Sequence, residues 1–305
     1  MQKTSGARGR GQATTWLVLA ALAAILVAGN LLATGEVRTW WNVVTLGVVE
    51  GITEWLPISS TGHLLVVGKL LNFQENIGGT FEIFIQLGAI LAVVAYYARD
   101  LIQQARALPS SAQVRHFWAS IVIACIPAGL LGLLLRKWIK AVLFESPTTI
   151  AIALIVGGII LLLVERLTLR VTTTDVQKTS FRQALGIGVA QVFSLIPGVS
   201  RSASSVVGGM LAGLDRPTAT TFSFYMAMPV LGAATVVDLL GSLDMVTSAD
   251  VPRLIVGTVV AMITAWFSIG WLLRYIARHS WVSFGIYRIL AGLLILGLVA
   301  AGALR

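Results

Sequence analysis

Charged side chains are scarce in this chain. They make up 11% of its 305 residues, whereas soluble domains carry about 25%. Hydrophobic residues reach 57%, and the mean hydropathy is +0.88. This composition excludes an ordinary soluble domain and predicts an integral membrane protein. The few charges leave a net charge of +9, which in a membrane protein is typical of basic cytoplasmic loops and requires no nucleic-acid partner.

Cysteine and histidine are also rare, with one and three residues respectively. The single cysteine, Cys125, excludes an internal disulfide, and we expect it to be a small buried apolar side chain. The histidines and the cysteine do not have the spacing of a zinc or haem site.

An apolar run over about 15–33 follows three basic residues, Lys3, Arg8 and Arg10. A secretory signal has this order of features, but the run approaches the roughly 20 residues that cross a bilayer. We therefore expect an uncleaved first membrane helix whose N-terminus lies in the cytoplasm. A cleaved signal is the alternative.

Eight further apolar segments follow, and two of them are short and end in a turn rich in proline and hydroxyl groups. The eight segments lie at about 40–56, 81–98, 117–135, 148–164, 183–196, 218–240, 254–273 and 284–304. A second short apolar piece follows each turn, at 64–71 after the first and at 206–214 after the second. Non-helical backbone at membrane depth is tolerated only where protein or a water-filled cavity covers it. The stretches 40–71 and 183–214 therefore predict two re-entrant helix pairs.

The two interrupted stretches are related by a single sequence offset. A shift of 141 residues gives nine identities over positions 46–92 without a gap, among them Ser59 with Ser200. The same shift sets Glu50 against Gln191. An uninterrupted offset through both polar turns predicts an internal repeat.

Basic residues indicate the orientation of these segments by the positive-inside rule. If the six longer segments span, and both re-entrant pairs return to the side they entered, the N-terminus and the loops 99–116, 165–182 and 274–283 are cytoplasmic. These regions hold twelve of the 22 lysines and arginines, against five in the outer loops, although three of those five cluster at 136–140. The first pair then enters from outside and the second from the cytoplasm, which makes the repeats inverted.

The predicted fold class is an all-α polytopic membrane protein with an inverted-topology repeat. It comprises two re-entrant helix pairs, about six spanning helices and one extra N-terminal helix. The extra helix belongs to an N-terminal part over 1–39, followed by a first repeat over 40–170 and a second over 171–305. Interrupted helices in matching places of two halves are typical of a membrane-embedded site, so we expect the functional residues in the two turns.

Two glutamates of the first stretch, Glu50 and Glu54, are four residues apart and share one face of a helix. Two carboxylates this close within a membrane favour binding of a divalent cation, or a role for one of them as a base. The alternative is a structural role, in which they form hydrogen bonds to neighbouring helices.

Hydroxyl groups follow these glutamates, in the order Ser59, Ser60 and Thr61, and His63 comes directly after them. Hydroxyls and free N–H groups at a helix start can bind an anion. Serine is also a candidate nucleophile if His63 or Glu54 accepts its proton. The alternative is that a serine only caps the helix.

Arg201 adds a permanent cation to the second turn, and its guanidinium suits phosphate oxygens. Ser200, Ser202, Ser204 and Ser205 lie around it in the sequence and offer further donors at a helix start. An ion pair between Arg201 and one of the two glutamates is compatible with the same site. Anion binding without chemistry is the alternative for this half.

Other polar residues are expected to contact the site residues without touching the substrate. Glu82 and Gln86 are four residues apart and close to the first turn, and Gln191 lies in the second stretch. Tryptophans such as Trp55 are expected to be interfacial anchors.

Together these residues resemble the bacitracin-resistance type of undecaprenyl-diphosphate phosphatase. The resemblance runs from about residue 41 to the C-terminus. The motifs that carry it are GVVEGITEWLPISSTGH at 47–63, FEIFIQLGAI at 81–90, PGVSRS at 197–202, FSF at 222–224 and MP at 228–229.

The resemblance implies hydrolysis of undecaprenyl diphosphate to undecaprenyl phosphate and inorganic phosphate, which recycles the carrier lipid of cell-wall synthesis. It implies a divalent cation, Mg²⁺ or Ca²⁺, as cofactor. It also implies that the protein lies in the bacterial inner membrane, with its active site facing the outer side. Bacitracin is expected to compete for the lipid substrate, and a homodimer is left open.

By the same resemblance, Glu50 and Glu54 match the essential carboxylates and Ser60 the candidate nucleophile. His63 matches the candidate proton carrier and Arg201 the phosphate-binding arginine. The base for Ser60 stays open between Glu54 and His63. Phosphate-binding hydroxyls are expected at Ser59, Thr61, Ser200, Ser202 and Ser205.

The chain departs from the family pattern after Ser202, where Ser-Gly-Ala-Thr is usual and Ser202-Ala203-Ser204-Ser205 stands. We expect tuned affinity from this change. A lipid-phosphate flippase or transporter on the same inverted repeat is the rival function, because interrupted helices are also typical of transporters. A purely structural membrane protein would leave the buried charges without a purpose.

Overall fold

The computed structural model describes residues 24–73, 80–142 and 146–304, and these fold almost entirely as helices. A first helical segment, α1, covers 24–32. The others are α2 (Gly35–Thr53), α3 (Ser60–Leu70), α4 (Thr80–Tyr96), α5 (Ala98–Ala107), α6 (Ala112–Val142), α7 (Pro147–Arg166), α8 (Phe181–Val192), α9 (Arg201–Leu211), α10 (Arg216–Leu240), α11 (Val251–Ile276) and α12 (Val282–Ala300).

Five of these helices are long and apolar enough to cross a membrane: α6, α7, α10, α11 and α12. A sixth span results if α4 and α5 count as one, although the chain bends by 64° between them. The prediction of an all-helical polytopic membrane protein is therefore confirmed. The predicted N-terminal helix lies only partly within the described residues, and the basic residues before it lie outside them. The division at 39 and 170 stays a prediction.

Both polar turns interrupt helices where the sequence predicts, and each is followed by a helix of eleven residues. These helices, α3 and α9, begin at Ser60 and Arg201, a few residues earlier than the apolar pieces suggested. Ser59 and Ser200 cap them, with side-chain oxygens that accept from the backbone N–H three residues on. Both caps have positive φ, 70° and 76°, which is uncommon for a residue other than glycine. Equal strain at two related places indicates that the surrounding structure holds both turns in the same shape.

Helices of the two predicted repeats pack against each other in a crossed pattern. α2 packs on α11, while α8 packs on α6, and α7 packs on α12. Gly47 and Gly188, which the offset of 141 aligns, make the first two contacts possible. A Cβ on Gly47 would lie 2.9 Å from the carbonyl oxygen of Gly257, and one on Gly188 would lie 2.4 Å from that of Ala124. Only glycine allows such an approach of two backbones, so the shared glycine has a shared packing role.

The three loops predicted to be cytoplasmic lie at one end of the molecule. The carbonyl oxygen of Thr179 accepts from Ser120 Oγ at 3.0 Å and contacts His116 Nε2 at 3.1 Å. Glu165 binds Arg216 through both carboxylate oxygens and accepts from the backbone N–H of Trp281 at 3.0 Å. These contacts join the loop ends of α6, α7, α10 and α12.

Candidate active site

The two polar turns meet through a buried ion pair. Arg201 Nη2 lies 3.1 Å from Glu54 Oε1, and their side chains are only 9% and 7% exposed. A second contact joins the same turns, because Ser202 Oγ donates to the carbonyl oxygen of Leu56 at 2.8 Å. Residues that are 147 positions apart thus form one polar centre.

Glu54 also binds the hydroxyl of Ser60. Ser60 Oγ donates to Glu54 Oε2 at 2.6 Å, while Oε1 is held by Arg201. A base has to lie within about 2.6–3.2 Å of the proton it removes, and Glu54 meets this condition for Ser60. The carboxylate therefore connects the candidate nucleophile of one turn to the cation of the other.

His63 makes a different set of contacts. Its Nδ1 lies 2.7 Å from the carbonyl oxygen of Ser59, and its Nε2 lies 2.6 Å from the hydroxyl of Tyr287. The two rings are stacked, with centroids 5.6 Å apart. Both ring nitrogens thus have partners other than Ser60, whereas Glu54 contacts Ser60 directly. Thr61, next to Ser60, is half-buried in the first turn of α3.

Arg201 is held on three sides. Its guanidinium lies 5.1 Å from the ring centroid of Trp55, and Nη1 donates to the carbonyl oxygen and hydroxyl of Ser223 at 3.2 and 3.3 Å. Trp55 is 1% exposed and packs edge-on against Phe224 at 5.1 Å. The expectation that Trp55 anchors the membrane interface was wrong. The site needs its ring beside Arg201, where a cation over an aromatic face is stabilised.

The serines around Arg201 form hydrogen bonds to other groups of the protein. Ser200 Oγ lies 3.0 Å from Ser202 Oγ, and Ser204 Oγ donates to the carbonyl oxygen of Ser200. Ser205 is fully buried and lies 2.6 Å from Ser223 Oγ. These bonds shape the second turn, and the predicted phosphate-binding role of Ser200, Ser202 and Ser205 stays a prediction.

Glu50 is 1% exposed, like Gln191, its equivalent under the offset. Each has one buried side-chain oxygen without a hydrogen-bond partner, Oε2 of Glu50 and Oε1 of Gln191. Glu50 lies close enough to Glu54 and Glu82 for their charges to interact. Glu82 is exposed and Gln86 is half-buried on α4.

An unpartnered carboxylate oxygen beside a second carboxylate fits a hard divalent cation. Mg²⁺ usually takes one or two carboxylates and completes its shell with water and substrate phosphates. The described part of the chain contains no group of three or more His, Cys, Asp or Glu side chains that could hold a metal ion. Glu50 and Glu54 are thus the residues that would hold the ion.

Two further residues at this site were not identified from the sequence, and both lie on α12. Tyr287 contacts His63, as described above. Arg288 is fully buried and donates to the carbonyl oxygens of Pro57 and Gly198, one in each turn. A charged residue inside a predicted apolar segment, 284–304, is a signal of function, and it would have identified Arg288.

The chain is similar to known proteins over most of its length. The family described as Bacitracin resistance protein BacA matches residues 43–294, which include both turns and α12 up to Leu294. An undecaprenyl-diphosphatase of Deinococcus radiodurans is 46% identical over 269 residues, which are 87% of this chain and 97% of that protein.

Two other relatives carry related names. An undecaprenyl-diphosphatase of Laribacter hongkongensis is 47% identical over 252 residues, 83% of this chain and 92% of its own. Undecaprenyl-diphosphatase 1 of Mesorhizobium japonicum is 45% identical over 265 residues, 87% and 98% of the two chains. The family match over residues 43–294 includes every residue of the polar centre. The chain that joins Glu54, Ser60 and Arg201 in one buried centre belongs to the Bacitracin resistance protein BacA family.

Proposed function

We propose that this protein is an integral membrane phosphatase that hydrolyses undecaprenyl diphosphate to undecaprenyl phosphate and inorganic phosphate. The names of its relatives agree with this reaction. The observation that carries the proposal is the position of Glu54 between the hydroxyl of Ser60 and the guanidinium of Arg201. The product lipid returns to cell-wall synthesis, and a large supply of this activity gives resistance to bacitracin, which competes for the diphosphate lipid.

The reaction proceeds in two displacements. Ser60 Oγ attacks the terminal phosphorus while Glu54 accepts its proton, the phosphoanhydride bond breaks and undecaprenyl phosphate leaves. Water then attacks the phosphoserine, and phosphate departs as Ser60 regains its proton. Arg201 binds the phosphate oxygens, whose charge spreads in the transition state. The free N–H groups at the starts of α3 and α9 add further donors.

Glu50 and Glu54 would hold a divalent cation, Mg²⁺ or Ca²⁺, which supplies neutralisation of the diphosphate charge. Glu50 contributes the unpartnered oxygen and Glu54 the position beside Ser60. Chelation with EDTA is expected to stop phosphate release, and added Mg²⁺ or Ca²⁺ to restore it. Activity that survives EDTA would contradict the cation site.

The site lies between two inverted repeats, each with a re-entrant helix pair, and opens to the outer face of the inner membrane. The helix bounds support the repeat, because the offset of 141 aligns the first and last residues of α3 with those of α9. The first turn of α8 also touches the end of α9, because Gln183 Nε2 donates to the carbonyl oxygen of Ala212 at 3.0 Å. The helices of a re-entrant pair are expected to meet in this way, at the ends that lie away from their connecting turn.

Phosphate release from undecaprenyl diphosphate by the purified protein in detergent, with Mg²⁺ present, tests the function. Ser60→Ala is expected to lower kcat by roughly 1,000-fold or more because the nucleophile is lost. Arg201→Ala is expected to lower it about 100- to 1,000-fold.

Matched controls are Ser110→Ala and Arg106→Ala, both at exposed positions, which should keep the parent rate. If either Ser60→Ala or Arg201→Ala released phosphate as fast as the parent, the mechanism would be wrong. If the parent released none, the function itself would be wrong.

A further inference from the structure

Arg288 is a fully buried arginine whose four hydrogen bonds all go to backbone carbonyl oxygens. Nη1 donates to Pro57 at 3.1 Å, and Nη2 donates to Gly198 at 3.1 Å. Nη2 and Nε reach Ala153 and Leu154 on α7, at 3.2 and 3.3 Å. One side chain therefore connects the two polar turns to each other and to a spanning helix.

The two turn carbonyls occupy equivalent places in the predicted repeats, because the offset of 141 aligns Pro57 with Gly198. Each comes three residues before a functional side chain, Ser60 in one turn and Arg201 in the other. The two hydrogen bonds have the same length. Arg288 thus lies at the centre between related halves, although it belongs to only one of them.

Burying a guanidinium is costly unless a carboxylate compensates its charge, and the partners of Arg288 are neutral. Packing alone would be achieved at lower cost by an apolar side chain of similar size. The neighbouring helix is also adapted to the charge: a Cβ on Gly157 would lie 2.1 Å from Arg288 Nη2. This contact therefore requires a glycine on α7 and keeps a charged side chain away from water.

We propose that Arg288 is a positioning residue that fixes the separation of the two turns, and with it the alignment of Ser60 with Arg201. The proposal rests on the proposed function, because it assigns the nucleophile to one turn and the phosphate-binding cation to the other. Arg288 itself touches neither the substrate nor the reacting atoms. Without Arg288, each turn keeps its own residues, but the separation of the two turns is no longer fixed and Ser60 is no longer aligned with Arg201.

Replacement of Arg288 tests the role through the separate values of kcat and KM. Arg288→Met is expected to lower kcat about 100-fold, the cost of misplacing reacting groups by about 1 Å, while KM changes less than about threefold. Arg288→Lys keeps the charge but has donors on one nitrogen only, so it cannot span four carbonyls. Its kcat should lie between those of the parent and Arg288→Met.

A second variant reaches the same contact without removing the charge. Gly157→Ala displaces Nη2, the atom that holds Gly198, and should lower kcat about 10-fold with little change in KM. Gly297→Ala is the matched control, because it lies on α12 with Arg288 and a Cβ there meets nothing within 4 Å. It should behave as the parent does.

All rates are expressed per folded enzyme, from the monodisperse fraction in detergent. Parent-like kcat in folded Arg288→Met or Gly157→Ala would overturn the proposal, as would a rise in KM with unchanged kcat. A parent enzyme without phosphatase activity would instead refute the proposed function. If Arg288→Met does not fold, Gly157→Ala decides the outcome.

Discussion

The hydroxyl of Ser60 has two candidate bases in the sequence, and the structure distinguishes their contacts. Glu54 accepts from Ser60 directly, whereas His63 contacts Tyr287 and the carbonyl of Ser59. A side chain whose two nitrogens are engaged elsewhere can shape the turn, but it is not in place to take the serine proton. This difference gives a prediction at the scale of single residues.

Glu54→Gln keeps the shape of the side chain and removes its basicity, so we expect kcat to fall by at least about 100-fold. His63→Gln is expected to lower kcat about 10-fold or less, and Tyr287→Phe should resemble it because both break the same contact. The measurement is phosphate release across a range of pH. A larger loss for His63→Gln than for Glu54→Gln would assign the base to the histidine.

Sequence alone identified the residues of the polar centre but not their surroundings. Glu54, Ser60 and Arg201 could be found because charges and hydroxyls in an apolar chain are conspicuous. Trp55 was misassigned, since an aromatic residue near a segment end is commonly an interfacial anchor, and Arg288 was missed although its charge lies inside an apolar segment. Their roles depend on contacts that cross the fold, and local patterns do not encode such contacts.

At the scale of helices, glycine marks the places where two backbones approach. A Cβ on Gly88 of α4 would lie 2.2 Å from the carbonyl oxygen of Thr258 on α11. The corresponding distance at Gly188 is 2.4 Å from Ala124. Since the opposing atoms are backbone, they cannot move aside without shifting a helix.

Gly88→Ala and Gly188→Ala are therefore each expected to lower the free energy of unfolding by about 1–3 kcal/mol, the usual cost of overpacking. Gly129→Ala is the control, because it lies on α6 and a Cβ there meets nothing within 4 Å. Thermal unfolding in detergent provides the measurement. Equal midpoints for Gly88→Ala and Gly129→Ala would show that the helices are not in the contact described.

The apolar pattern predicted the first and last residues of the helices only approximately. The sequence places the second short helix of each pair at 64 and 206, whereas α3 and α9 begin at Ser60 and Arg201. The difference arises because the first helical turns carry hydroxyls and charge, which an apolar pattern excludes. The sequence predicts a loop over 99–116, whereas α5 (Ala98–Ala107) forms a helix there after a 64° bend, because its residues are too polar for an apolar pattern to detect.

At the scale of the whole molecule, the loops around 99–116, 165–182 and 274–283 gather at one end, and their basic residues predict the cytoplasmic side. Arg106→Cys, Arg170→Cys and Arg278→Cys, made in a Cys125→Ala background, should resist a membrane-impermeant maleimide in intact cells. Asp244→Cys, which lies in a predicted outer loop, should react. All four positions are exposed in the structure.

Permeabilised cells are the control, because all four cysteines should then be labelled. Labelling of the three arginine positions but not of position 244 in intact cells would reverse the orientation. Mixed labelling among the three arginine positions would contradict their common location at one end.

The crossed packing of α2 on α11 has a consequence for how the protein is made. Thr264 Oγ1 approaches the carbonyl oxygen of Gly47 at 3.4 Å, across 217 positions of sequence. At about 5–20 residues per second, the ribosome supplies this partner roughly 10–40 seconds after α2. During that interval Glu50 and Glu54 are in the membrane or at its edge while Arg201 is not yet made or has just emerged. The first half of the nascent chain therefore carries these two glutamates without Arg201, and we expect the insertion machinery to shield it until the second half is inserted.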